Sequence, residues 1–363
     1  MGPSDRDHRL RDRHASRAPR SSCVCRGRVV RGLIALAAGV AAGIAAEQLA
    51  VRKPWRPDPY KDEPFGSVRG EPHWLRADDG TELYVEVHPC DDPTAPTIVF
   101  AHGYCLNQDS WHFQRKALQG QARLVLWDQR GHGRSERGPI ENATVEQLGR
   151  DLLWVLDGFT QGPVHVVGHS MGGMTVMSFG SLFPDIFEQR VAGFGLVATS
   201  AGHLSAEFLG LPSNVAHRAS TAASGVKPNK VLMGSLMQQL RLTDLNFMLT
   251  KRASFGPGAP NSLNTFTLAM LNATPMETVV DFLPSLLAHD LHDSLKAMDG
   301  VPGYIVCGED DVMTPVSHTR KLMELLPEAR GVILPDTGHM IQLEAQDEVT
   351  DGIRRLAFGN RGA

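Results

Sequence analysis

The stretch that most constrains how this chain can fold is "VVGHSMGGM", residues 166–174. An apolar run leads into Ser170, which has Gly168 two positions before it and Gly172 two positions after it. A strand that ends, turns sharply and starts a helix demands that spacing. The residue at the apex takes strained backbone angles, and its neighbours two away come too close to carry side chains. The turn leaves the serine hydroxyl in the open, with helix N-terminal amides aimed at whatever it attacks. The pentapeptide G-x-S-x-G arises by chance in about one chain in ten of this length. It gains weight only with a strand before it, a helix after it and chemical partners elsewhere.

The surrounding pattern supplies the strand and the helix. "TELYVEVHP" (81–89) alternates as a half-buried strand does. "APTIVFAHG" (95–103), "ARLVLWDQRGHGRS" (122–135), "PVHVVGHS" (163–170) and "VAGFGLVATS" (191–200) are short apolar runs that end in small or glycine-rich turns. Between them "VEQLGRDLLWVLDGF" (145–159) has helical spacing, and "GGMTVMSFGSLFP" (172–184) reads as a helix stopped by Pro184. Fully apolar strands alternating with helices predict an α/β fold: a mostly parallel sheet covered by helices on both faces. The rhythm breaks at residue 203. Residues 203–290 hold helical pieces such as "NKVLMGSLMQQLRL" and "NSLNTFTLAMLNAT" without a strand signal, and strands return at "VPGYIVCGEDD" (301–311) and "EARGVILPDTGH" (328–339). The expected organisation is a core of residues 57–202 and 291–363, with a helical cap over 203–290 inserted between late strands. The Met and Leu residues of that cap have two readings, as its own core or as the lining of an apolar substrate cleft.

The N-terminal part reads differently. Residues 1–31 hold nine Arg against three Asp, a formal +6; with −4 overall, residues 32–363 carry about −10. The first part has the composition of a basic disordered tail. A folded part this acidic is a poor partner for nucleic acid. Gly32 to Ala46 is an unbroken apolar run of fifteen residues that extends to Val51 with Glu47 and Gln48 inside it. Residues 32–51 are expected to be a membrane-directed, signal-anchor-like helix, near the lower length limit for a span; a cleaved signal peptide, for which no A-x-A site closes the run, and a helix lying on the domain surface are the rival readings. Arginines before the run favour an N-terminus inside, a catalytic domain on the extracytoplasmic side and a membrane-associated protein, with a cytoplasmic protein as the alternative. The five cysteines, at 23, 25, 90, 105 and 307, are scattered and odd in number, and read as free thiols.

A serine hydroxyl is a weak nucleophile near neutral pH. It needs a base to take its proton and a carboxylate to orient that base. Two later turns offer them: Gly308-Glu309-Asp310-Asp311 after the strand "GYIVC", and Gly338-His339 after "GVILP". The order is serine, acid, histidine, at separations of 141 and 28 residues. On the residues alone Glu309, Asp310 and Asp311 all qualify as the acid. No H-E-x-x-H and no G-x-x-x-x-G-K is present, so neither a metal site nor a phosphate site is expected, and no cofactor.

From about residue 75 to 358 the chain resembles the α/β-hydrolase superfamily, in its capped serine esterase and lipase branch. The stretches that carry the resemblance are "HGY", "DQRGHGRS", "GHSMGG", "GEDDVMTP" and "GHM". The resemblance implies Ser170 as nucleophile, His339 as base and Asp311 as acid, with Asp310 second. It implies an oxyanion hole built from the amides of Tyr104 and Met171. His102, His132 and His169 are expected to be structural. Haloalkane dehalogenases and epoxide hydrolases share the fold but place Asp at the elbow, where this chain has Ser170. The expected activity is hydrolysis of a small-molecule or lipid ester, through an acyl-serine, with medium or long acyl chains favoured. Cofactor-free haloperoxidase or perhydrolase, thioesterase and acyltransferase chemistry use the same triad and stay open, as does a non-enzymatic ligand receptor.

Overall fold

The computed structural model describes residues 58–202, 204 and 244–359. The basic tail, the apolar run 32–51 and the first part of the expected cap, including "NKVLMGSLMQQLRL", lie outside the described residues. Among the described residues no helix is long and apolar enough to cross a membrane.

Eight strands form one sheet: β1 (Glu71–Arg76), β2 (Glu82–His88), β3 (Thr97–Ala101), β4 (Arg123–Trp127), β5 (Val164–His169), β6 (Val191–Val197), β7 (Gly303–Gly308) and β8 (Arg330–Leu334). Their spatial order is β1-β2-β4-β3-β5-β6-β7-β8. β2 runs antiparallel to both β1 and β4, and every later pairing is parallel. The sheet is therefore mostly parallel, as the apolar runs predict. β1 was not anticipated. It is an edge strand with alternating exposure, joined to β2 through the turn Ala77-Asp78-Asp79-Gly80. The Asp-Gly pair before an alternating run is the hairpin signal that marks it.

The helices are α1 (His112–Leu118), α2 (Val145–Phe159), α3 (Met171–Leu182), α4 (Pro184–Arg190), α5 (Asp244–Ser254), α6 (Asn261–Ala273), α7 (Met276–Ala288), α8 (Val316–Leu325), α9 (Ile341–Glu344) and α10 (Gln346–Phe358). The apolar runs of the strands divide residue by residue between two faces. Val99, Ala101, Val125, Val166, Leu196 and Ile305 pack with Leu148 and Leu152 of α2 and Met174 of α3. Their neighbours Ile98, Phe100, Leu124, Val167, Val197 and Val306 pack with Trp111, Leu118 of α1 and Ile353 of α10. Helices on both faces explain why these strands read as continuously apolar. Pro184 stops α3 as predicted and also begins α4, because its fixed φ suits the first turn of a helix.

Helices α5, α6 and α7 fall between β6 and β7, where the helical insert was expected. Their buried apolar side chains serve packing. Leu263 and Met270 join a cluster with Leu106, Phe113 and Met340. Phe282 and Leu286 join the cluster beneath α2 and α3. The insert's buried Leu and Met side chains thus pack against residues outside it, while Leu249 and Leu287 are exposed. Among the described residues Cys90 and Cys307 are free thiols, as read from their spacing.

The glycines at the end of β5 fix where α3 can start. A Cβ on Gly168 would lie 2.2 Å from the Gly172 carbonyl oxygen, and a Cβ on Gly172 would lie 2.2 Å from that of Ala101. Both contacts are with backbone, which cannot swing aside. Gly172→Ala should therefore lower unfolding free energy by about 3 kcal/mol or more. Gly158→Ala is the contrast: it sits in α2, and its new Cβ would meet a Leu75 methyl at 3.3 Å. There the better helix propensity of Ala should leave stability equal or about 1 kcal/mol higher. Urea unfolding of the two variants tests the pair, and equal midpoints would contradict the elbow geometry.

Candidate active site

Ser170 stands between β5 and α3 with φ +52° and ψ −116°, a backbone conformation that side chains other than glycine rarely adopt. Its environment holds it there. The Ser170 amide donates to the Val197 carbonyl at 2.9 Å, and its carbonyl accepts the Thr199 hydroxyl at 2.6 Å. A Cβ on Gly173 would lie 2.6 Å from that Thr199 side chain, which accounts for the second glycine of the Gly172-Gly173 pair. Met171 is the first residue of α3, where the helix ladder leaves amides unused.

The loops after β7 and β8 bring the next two residues together. His339 Nδ1 lies 2.9 Å from Asp311 Oδ2, with both side chains buried. Asp311 Oδ1 accepts the amides of Met313 and Thr314, each at 2.9 Å, and Oδ2 also accepts the Thr314 hydroxyl at 2.8 Å. A carboxylate so surrounded by donors is held in one orientation. Asp310 and Glu309, its rivals in the sequence, are both exposed, and the Asp310 amide serves to tie the loop to the Thr337 carbonyl. The histidine loop is anchored in turn. Glu344 accepts the amides of Gly338 and Gly256, at 2.8 and 3.0 Å. His169 Nε2 donates to the His339 carbonyl at 3.0 Å, so the residue before Ser170 is bonded to the residue that carries the candidate base.

His102, Gly103 and Tyr104 form the loop after β3. His102 Nε2 accepts the Gln129 amide at 2.9 Å, which leaves the proton on Nδ1 to be donated to the Gly103 carbonyl at 2.8 Å. Gln129 completes the tie: its Nε2 donates to the His102 carbonyl, and its Oε1 accepts the Thr175 hydroxyl at 2.6 Å from α3. A Cβ on Gly103 would lie 2.7 Å from His169 Nδ1, so only glycine lets the loop approach the elbow this closely.

The electrostatics sort these histidines. Burial pushes the His102 imidazole down to about 3, with His132 nearby adding to the shift, and burial pushes His132 down to about 4. Burial, with the neighbouring His339, holds His169 well below its ordinary value. The imidazoles expected to be structural are thus neutral and act as hydrogen-bonding groups. Asp128 moves the other way. Burial raises it to about 6 although it accepts the amides of Gln108 and Arg134, each at 2.9 Å. Asp128, Gln129, Thr175, Thr199 and Thr314 were not anticipated. Asp128, Gln129 and Thr199 are buried polar residues just after strands, which is the signal they carry, and Asp128, Gln129 and Thr314 lie inside the quoted motifs.

Residues 96–346 match the family described as alpha/beta hydrolase fold. The sequence is 28% identical, over 72% of its length, to the dihydrolipoyllysine-residue acetyltransferase component of the acetoin cleaving system of Pseudomonas putida, and it spans 62% of that relative. It is 26% identical to the sn-1-specific diacylglycerol lipase ABHD11 of Mus musculus, over 72% of this chain and 81% of the relative. Among solved structures, an esterase from Exiguobacterium antarcticum superposes with a TM-score of 0.62, covering 78% of this chain and 98% of its own, at 19% identity. That last likeness is one of fold.

The neutral histidines set a pH dependence of stability. His102 and His132 titrate near 6.5 when unfolded and near 3 and 4 when folded, so the unfolded chain binds more protons between those values. Their stability contribution is complete above pH 6.5 and is lost as pH falls through the window below it. From pH 7 to 5 each buried neutral histidine should remove about 2 kcal/mol. Asp128, raised from 3.8 to about 6, works in the opposite sense over pH 3.8–6 and offsets about 1 kcal/mol. The expected result is a urea midpoint that falls clearly between pH 7 and 5. An unchanged midpoint would contradict the neutral burial of these rings.

Proposed function

The chain belongs to the α/β-hydrolase family, and from that footing we propose that it is a serine hydrolase cleaving carboxylic esters through an acyl-Ser170 intermediate. The observation that carries the reading is the buried 2.9 Å contact between His339 Nδ1 and Asp311 Oδ2, at the same end of the sheet as the Ser170 turn. Asp311 keeps the Nδ1–H in place, so that Nε2 of His339 is the basic nitrogen. His339 takes the Ser170 proton while Oγ attacks the ester carbonyl carbon. The amides of Tyr104 and Met171 bind the oxygen that gains negative charge, each worth about 3 kcal/mol of barrier. Collapse breaks the bond to the alkoxide, which leaves with the proton from His339. Water then gives a proton to His339 as it attacks the acyl carbon; collapse breaks the bond to Ser170 Oγ, His339 returns the proton to that oxygen, and the acid is released.

The same acyl-enzyme can give its acyl group to an acceptor other than water. A relative named for acetyl transfer supports keeping that outcome beside hydrolysis. Lipid-like esters with medium or long acyl chains are the proposed substrates. A relative named as a diacylglycerol lipase, and the apolar run 32–51 as a means of membrane association, support this. The helical insert as a cap over the site belongs to the same proposal.

Ser170→Ala should lower hydrolysis of a p-nitrophenyl ester by about 10⁴ or more. Asp311→Asn should cost a hundredfold or more, by about the same logic of a lost orienting carboxylate, whereas Asp310→Asn should stay within about twofold. Labelling of Ser170 by a fluorophosphonate probe separates an enzyme from a ligand receptor. Full activity in Ser170→Ala would reject the nucleophile, and equal losses in the two Asp variants would reject the acid.

Chain length and location form a separate test. Each buried CH₂ contributes about 0.8 kcal/mol, so kcat/KM should rise from acetyl to octanoyl esters and then level off. The full-length protein should sediment with membranes at high speed. A steady fall along the ester series would leave a small-ester hydrolase. Recovery in the supernatant would remove the membrane association and leave the triad untouched.

A further inference from the structure

The loop assigned to the oxyanion is held from outside the sheet. Cys105, the residue after Tyr104, has φ +59°, a left-handed conformation that costs a side-chain-bearing residue about 1–2 kcal/mol. Its carbonyl accepts the hydroxyl of Thr274 at 3.0 Å. The Tyr104 phenol donates to the Val279 carbonyl. Thr278 Oγ1 donates at 2.9 Å to the carbonyl of Gly131, in the neighbouring glycine-rich turn. Thr274 caps α6, and Thr278 and Val279 lie in the first turn of α7. One buried corner of the helical insert thus bonds two consecutive residues of the loop. Two further ties on α7 avoid that loop: Ser285 Oγ accepts the Val145 amide at 3.0 Å, and Asp281 pairs with Arg137.

We propose that Thr274 and the Tyr104 phenol are positioning groups that hold the turn at Cys105, so that the Tyr104 amide faces the oxyanion. The inference rests on the reading of Ser170 and Tyr104 given under Proposed function, and it makes oxyanion-hole geometry a property of the insert. Without the corner, Cys105 can relax toward negative φ, and the relaxation rotates the backbone on the Tyr104 side. An amide so turned meets the tetrahedral oxyanion poorly, while the planar ester carbonyl loses less. The defect therefore appears in kcat.

The test uses the full-length protein and a p-nitrophenyl ester. Thr274→Val and Tyr104→Phe should each lower kcat about tenfold, part of the loss from deleting an oxyanion donor outright, with KM within about twofold. Thr274→Ser, which keeps the hydroxyl, should restore kcat. The double variant should lose less than the product of the two single losses, because both act on one turn. Ser285→Ala, a tie between the same helix and α2, should lower Tm and leave kcat unchanged. If Thr274→Val fails to fold, Tyr104→Phe, which removes a single oxygen, carries the test. The proposal is overturned if Tyr104→Phe or a folded Thr274→Val behaves as Ser285→Ala does, with reduced Tm and full kcat, or raises KM alone. That failure is distinct from failure of the underlying reading, in which Ser170→Ala itself stays active.

Discussion

Everything at the candidate site depends on a backbone contact between strand ends. Ala101 ends β3 and Gly168 stands beside it in register on β5, and Gly172, in the first turn of α3, closes against the Ala101 carbonyl. This contact has no room for a methyl group, so it selects glycine at both positions and forces Ser170 into positive φ between them. A side-chain-bearing residue persists in such a conformation only when its surroundings over-determine it. Here they do: the Ser170 amide is fixed to β6, its carbonyl to Thr199, and the helix that follows is buried along most of its length. The strain at one residue is stored in a sheet whose register supplies the restraint.

The same sheet explains what was legible in the sequence. A strand buried on both faces must be apolar throughout, and a parallel neighbour must be reached through a helix, so six of the eight strands announce themselves as short apolar runs, and β2 by its alternation. β1 escaped because it is an antiparallel edge strand with one exposed face and too few apolar residues to stand out. Ser170 and the acidic turn were legible because each follows a buried strand, and His339 because it closes the glycine turn after the half-buried β8. The choice among Glu309, Asp310 and Asp311 was not legible from spacing. Which of three consecutive side chains turns inward depends on the loop, and only the resemblance to a family favoured Asp311, the one that meets His339 in the structure. Gln129 and Thr274 were not legible for a related reason. Each donates to a backbone carbonyl far away in the chain, and a long-range polar contact leaves no period behind it.

The histidines divide by what lies around them. His102, His132 and His169 are deep in the structure, and each has a carbonyl that fixes a protonated nitrogen. Desolvation then removes their charge; His102 is bonded at both nitrogens, to Gly103 and Gln129, and His169 ties the elbow to the His339 loop. His339 differs in its partner. It faces a carboxylate that is itself held by two amides and a hydroxyl, so the ring has an acceptor able to stabilise positive charge. A count of histidines could never separate the two groups. The chemical distinction lies in whether the fixed partner is a neutral carbonyl or an ion.

The insert between β6 and β7 is tied to the loops of the candidate site. Ser254 accepts the Met340 amide through its carbonyl at 2.7 Å, and Gly256 approaches Asp336 so closely that a Cβ there would lie 2.3 Å from its carbonyl oxygen. These contacts fall beside His339, and the Thr274 contact falls beside Tyr104. Two separate points of the insert therefore touch the two loops that bracket Ser170. A frame fixed by sheet register alone would be indifferent to what is inserted into it, and the insert could then vary freely to suit a substrate. Here the insert also completes the hydrogen bonding of the loops. A substitution made in residues 254–256 or 274–279 will disturb the loops that carry His339 and Tyr104.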